Sequence, residues 1–149
     1  MIERRLVTNA AIKLLADATG RPVGRGKMPP NPGLYYCILY PLDVTVSGAP
    51  LADEYEEMTA TFQVTCVSLP DPAKPGSSGS AEQVEWLADK ARTAFLGRNP
   101  VSGRWLYDFD VPGAVVQCRE PDTEPGGTND PSDAIMSYVQ RFKVTLTPA

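Results

Sequence analysis

The sequence contains no histidine. Proton transfer near neutral pH most often runs through an imidazole, so the usual general base and the usual activator of a serine or cysteine nucleophile are missing. A Cys/His zinc site is excluded for the same reason. The cysteines, Cys37, Cys66 and Cys118, have no short paired spacing and make a poor site on their own. Their odd number and wide separation argue against a disulfide framework and predict reduced core thiols. No apolar run reaches the length that spans a bilayer, and the opening Met-Ile-Glu-Arg-Arg-Leu lacks the apolar core of a signal peptide. The expectation is a protein kept inside a cell or carried in a particle assembled there. A basic surplus is missing too: 14 Lys and Arg face 18 Asp and Glu, a net charge of −4. That balance gives no electrostatic basis for gripping a phosphate backbone by counterion release. No dinucleotide-binding glycine fingerprint, kinase motif set or calcium loop is present, and Ser77, Ser78 and Ser80 lie outside a Gly-x-Ser-x-Gly turn.

What is present fits one domain spanning residues 1–149, with 15 Pro and 12 Gly implying long connections. The clearest helix is Ser80–Gly97. Ser80 is placed to cap the first turn, with Gln83 reaching back to the Ser80 amide as a capping box. Val84, Leu87, Ala88, Ala91 and Phe95 form its core face, Trp86 sits at the stripe's edge, and Gly97 is expected as a left-handed stop. A first helix over Arg4–Asp17 carries Leu6, Val7, Ala10, Ala11, Leu14 and Leu15 on one stripe and ends at Gly20 and Pro22. Thr19–Gly33 has too much Gly and Pro for a regular element. It lacks the Gly-Lys-Ser/Thr of a phosphate cradle, so Arg21, Arg25 and Lys27 read as a basic surface arm that contacts another chain.

Leu34–Leu42 is apolar on both faces, which predicts a central strand covered on both sides, with Asp43–Ser47 extending it. The turn that follows holds Asp53, Glu54, Glu56 and Glu57. Paired carboxylates do acid–base work only where burial parts their pKa values, so these read as a solvated hairpin tip or an acidic rim or lumen facing a partner or a passing polyanion. Met58–Ser68 alternates Met58, Ala60, Phe62, Val64 and Cys66 against Thr59, Thr61, Gln63 and Thr65, and Tyr138–Thr147 repeats the pattern with Phe142, Val144 and Leu146. Antiparallel pairing of these two strands would gather threonines and long polar chains on one exposed face. Leu69–Gly79 reads as a linker. Arg104–Asp110 reads as a strand with Trp105, Tyr107 and Phe109 on one face, an interface patch if uncovered. Val111–Glu120 is a further strand, and Pro121–Ser132 a polar hairpin loop. The fold class is therefore α+β: a mostly antiparallel sheet of four to five strands, two helices packed on one face, and long loops.

With that order of elements, the N-terminal amphipathic helix, the strands Leu34–Leu42 and Met58–Ser68, the Pro/Gly linker, the helix Ala81–Leu96 and the final Tyr-Val-Gln-Arg-Phe-Lys-Val-Thr-Leu strand resemble the tail terminator (tail completion) proteins of long-tailed bacteriophages. The likeness covers nearly the whole chain and carries no diagnostic motif. It implies a virion protein without catalytic residues, metal or cofactor. Such a protein forms a hexameric ring at the head–tail junction that ends tail-tube polymerisation, contacts the major tail tube protein and the head–tail connector or neck protein, and leaves a channel for DNA. A negative lumen would let DNA slide without tight binding. The Arg21–Lys27 loop and the Trp105–Phe109 stretch match nothing in the family pattern and read as docking surfaces specific to this chain. Two other readings stay open: another head–tail junction or neck protein, and a histidine-free small-ligand binder or enzyme.

Overall fold

The computed structural model describes residues 1–47, 56–130 and 134–149, with the backbone alone for 128–130. Its elements are α1 (Arg4–Thr19), β1 (Val23–Arg25), β2 (Tyr35–Ser47), β3 (Glu57–Ser68), α2 (Ala81–Leu96), β4 (Ala114–Pro121), β5 (Gly126–Asp130) and β6 (Ile135–Pro148). They build the expected α+β fold with a six-stranded sheet in the order β1-β2-β3-β6-β4. β5 shares β6 with β4: it pairs with 135–139 of β6, and β4 with 142–148. Every pairing is antiparallel except the short β1–β2 contact. Six strands stand where the sequence reading has four to five: two brief segments are added, and the expected strand Arg104–Asp110 is not among them. β1 lies inside the expected loop Thr19–Gly33, and β5 inside the expected hairpin loop Pro121–Ser132.

β3 and β6 form the middle of the sheet because their alternation is the cleanest. Phe62 stands opposite Phe142, and Ala60 opposite Val144, on the face that the helices cover. The same register puts Thr59 opposite Thr145 and Gln63 opposite Arg141 on the other face, where Arg141 Nε donates to Gln63 Oε1 at 3.2 Å. The threonine-rich open face is thus as expected. β2 is not central; it sits one strand in from the edge, since β1 is too short to cover its length. Its second apolar face makes only a small separate cluster, Tyr36 and Ile38 with Val67, and beyond Tyr40 the strand is largely exposed. A shift of register between Pro41 and Val44 bends it there, consistent with a proline that cannot donate to the ladder.

α1 and α2 bury Val7, Ala11, Leu14 and Leu15 with Val84, Leu87, Ala91 and Phe95 against this sheet. Phe95 is fully buried, stacked on Phe142 with centroids 4.5 Å apart and planes 4° from parallel. Ser80 caps α2, accepting from the Gln83 amide at 3.2 Å. The reciprocal half of the box is absent, because the Ser80 amide donates instead to Ser68 Oγ at 3.0 Å, tying the helix start to β3. Gly97 is not a left-handed stop. Its φ is −65°, and it is glycine because a Cβ there would lie 2.5 Å from the Thr93 carbonyl oxygen. Gly20, at φ 67°, is the left-handed cap, on α1. Trp86 lies at the boundary as expected, 43% exposed, edge-on to Tyr35.

Candidate interaction surfaces

Of the basic arm, Arg21 is turned inward. Its Nε and Nη2 donate to the Tyr35 carbonyl at 3.1 and 3.0 Å, and its guanidinium lies 3.9 Å from the Tyr35 ring centroid, so it staples the loop to β2 and is not free for a partner. Arg25 and Lys27 are exposed, with Arg25 donating to Asn9 Oδ1. Arg25 meets two arginines that the sequence reading passed over. Arg4 and Arg5, from the first turn of α1, line with it a cleft of about 340 Å³ floored by Val7, Val44, Met58 and Phe62. That turn holds no acidic residue and no side chain caps it. Cations at a helix N-terminus work against the helix dipole, so this corner concentrates positive potential at some cost to α1. The exposed Arg5–Glu3 pair, at 3.6 Å, offsets little of it.

The aromatic stretch departs from expectation. Arg104–Asp110 is not a strand. It folds back on the end of α2 through bonds from Leu106 N to the Gly97 carbonyl (2.9 Å) and from Asn99 N to the Arg104 carbonyl (2.7 Å), plus an isolated bridge between Arg98 and Trp105. The three rings therefore do not share one face. Phe109 belongs to the core, 6% exposed and 6.2 Å from Phe95, and Tyr107 packs against the same core. Trp105, half-buried, carries two guanidinium groups over its ring, Arg98 at 3.9 Å and Arg119 at 4.5 Å. Arg119 is 7% exposed and donates to the Tyr107 carbonyl at 2.9 Å, with Nε unpartnered. Burial draws its pKa down to about 10, opposed by Asp108 and aided by Arg98. Nothing in a strand-like Val111–Glu120 signals a buried cation; it becomes visible only when the 97–113 segment is seen to close over β4.

The acidic group also divides. Asp53 and Glu54 lie outside the described residues. Glu56 is buried, contrary to the expectation of a solvated tip or rim: its Oε2 accepts from the Ile2 amide at 3.2 Å and stands 3.7 Å from the terminal ammonium. Glu57 is exposed at the start of β3. A different carboxylate group gathers elsewhere. Glu85 and Asp89, four apart on the outer face of α2, meet Glu124 around Tyr138 in a recess of about 210 Å³. Burial raises the Tyr138 pKa, and Glu124, Glu85 and Asp89 raise it further. Gln140, 3% exposed, donates from Nε2 to Glu124 Oε1 at 2.9 Å and leaves its own buried Oε1 without a partner. The spacing of four on α2 puts two of the three carboxylates, Glu85 and Asp89, side by side; Glu124 joins them only through the path from β4 to β5.

The thiols of Cys37 and Cys66 face each other across β2 and β3 at 3.7 Å, both buried and free, whereas Cys118 is exposed on β4 and is no core thiol. Among the described residues, no group of three or more His, Cys, Asp or Glu side chains is placed to hold a metal ion, and no helix is long and apolar enough to cross a membrane.

No protein-family model matches this chain, and no curated protein sequence matches it. Solved structures do match, 26 chains in all. One of them is 24% identical to this chain over 97% of its residues and 96% of the other's, with a TM-score of 0.52. At that identity the likeness speaks for the fold.

Proposed function

We propose that this protein is a tail terminator (tail completion) protein of a long-tailed bacteriophage. It is a structural subunit, not an enzyme, of a hexameric ring at the head–tail junction of the virion. The ring caps the tail tube, ends its polymerisation and joins it to the connector, and DNA passes through without being held tightly. The observation that carries this reading is the layout of free edges. β1 ends the sheet on one side and β4 with β5 on the other, both helices lie on one face, and the open face is polar. A ring needs two different surfaces on one subunit, each fitting the other on the next copy, and a sheet with two unlike edges supplies them. The net charge of −4 suits a conduit for DNA better than a clamp. The same order of helices and strands underlies the resemblance noted above.

Size-exclusion chromatography with mass measurement across concentrations, followed by electron microscopy, tests the reading. Rings with a central channel that cap purified tail tubes are expected. Rings that bind the connector and ignore the tube would make this a neck protein instead, and a chain that stays monomeric at every concentration would overturn the reading.

A further inference from the structure

The two charged corners stand at opposite ends of the sheet. Arg25 is on β1, the strand at one edge, and Arg4 and Arg5 are on α1, which packs over β1 and β2. Glu124 joins β4 to β5 along the other edge, and Glu85 and Asp89 stand beside it on α2. Three guanidinium groups at one end thus face three carboxylates at the other, on one chain. Arg4, Arg5, Glu85, Asp89 and Glu124 are all exposed, and no salt bridge among the described residues holds Arg4, Glu85, Asp89 or Glu124. Gln140, which does not line the recess, holds Glu124 from beneath, its Nε2 donating to Glu124 Oε1 at 2.9 Å. A guanidinium is the cation that suits this recess, since its fork of N–H donors can bond two carboxylate oxygens at once.

Resting on the ring reading, we infer that copies of this chain join head to tail, the exposed Arg4, Arg5 and Arg25 of one copy entering the Glu85–Asp89–Glu124 recess of the next. The contact is heterologous: basic end meets acidic end, leaving a basic end free at one side and an acidic end at the other until the ring closes. It accounts for one local cost that the isolated subunit bears, the arginines at the uncapped start of α1. A second copy is favoured over nucleic acid as the partner of the arginines because the chain as a whole is acidic and carries the complementary recess itself.

Two double reversals of exposed residues on the full chain test the contact. Arg4→Glu with Arg5→Glu makes both ends acidic and adds acids where the dipole of α1 favours them; Glu85→Lys with Asp89→Lys makes both ends basic. Each protein alone is expected to stay folded, the Arg4/Arg5 variant with a thermal midpoint no lower than that of the wild-type subunit, and to associate about 100-fold more weakly in sedimentation, since like charges then meet. An equimolar mixture of the two is expected to regain ring mass, with alternating subunits. Wild-type rings accompanied by reversal variants that assemble equally well would overturn this contact alone and assign the arginines to the tube or connector protein. A mixture that stays dissociated would overturn it as well. A wild type that is monomeric throughout would overturn the contact and the ring together.

Discussion

Phe95 shows how a single side chain serves three layers. From α2 it stacks on Phe142 of β6, lies 6.5 Å from Phe62 of β3 and 6.2 Å from Phe109 of the closing segment. Phe95→Ala leaves a cavity that none of these can fill alone, and a loss of about 3–5 kcal/mol in urea unfolding is expected. Trp105 differs, because its ring faces are taken by Arg98 and Arg119. Trp105→Ala is expected to lower the stability of the subunit by about 2 kcal/mol, part packing and part cation–π attraction, as measured by the same unfolding. An unchanged midpoint with lost assembly would move Trp105 to an interface. Cys66 gives a pH signature. Its bond to Cys37, and then burial, raise the thiol pKa well above the usual range. The folded state therefore keeps a proton that the unfolded state releases above about pH 8.5, so this contribution is complete at neutral pH and is lost as pH rises. Cys66→Ala is less stable at pH 7, and its gap from wild type is expected to narrow between about pH 8 and 10 when both are unfolded in urea.

At the scale of the element, what mattered was where each backbone donor and Cβ goes. The sequence placed both helices within two residues of their observed ends, because stripe, cap and breaker agreed. It erred on Gly97, where glycine is needed for close approach to Thr93 and Leu106 and not for a positive φ. Gly97→Ala is accordingly expected to cost at least about 1 kcal/mol, read as a lower thermal midpoint, although Ala is the better helix former. Retained stability would mean that the α2 exit can shift freely. The strand pair β3–β6 was legible for a similar reason: a period of two fixes which face each residue takes once one face is buried. Arg104–Asp110 had the same period and is not a strand, since the Leu106 amide and the Arg104 carbonyl bond to Gly97 and Asn99 just past α2 rather than to a neighbouring strand.

For the whole molecule, the proposal turns on charge distribution rather than charge total. A head-to-tail contact between exposed arginines and carboxylates is screened by salt, with a Debye length falling from about 10 Å at 0.1 M to about 3 Å at 1 M. Ring mass in sedimentation is therefore expected to fall as salt rises toward 1 M and to return on dilution. Rings that tighten with salt would instead be held by apolar surface, such as the small Tyr36–Ile38–Val67 cluster on the open face.

The sequence by itself determined the α+β class, the helix stripes, the alternating strands and the exclusion of imidazole chemistry, because each follows from composition or from contacts a few residues apart. Only the tertiary structure decided that Arg21 and Glu56 are spent internally, that Phe109 is core, that Arg119 is a buried cation, and that Arg4, Arg5 and Arg25 form one corner with Glu85, Asp89 and Glu124 at the other. These groupings join residues far apart in the chain, 54 positions for Ile2 and Glu56 and 39 for Glu85 and Glu124 (124 minus 85). Strand order sets them, and no local periodicity encodes which strand becomes an edge.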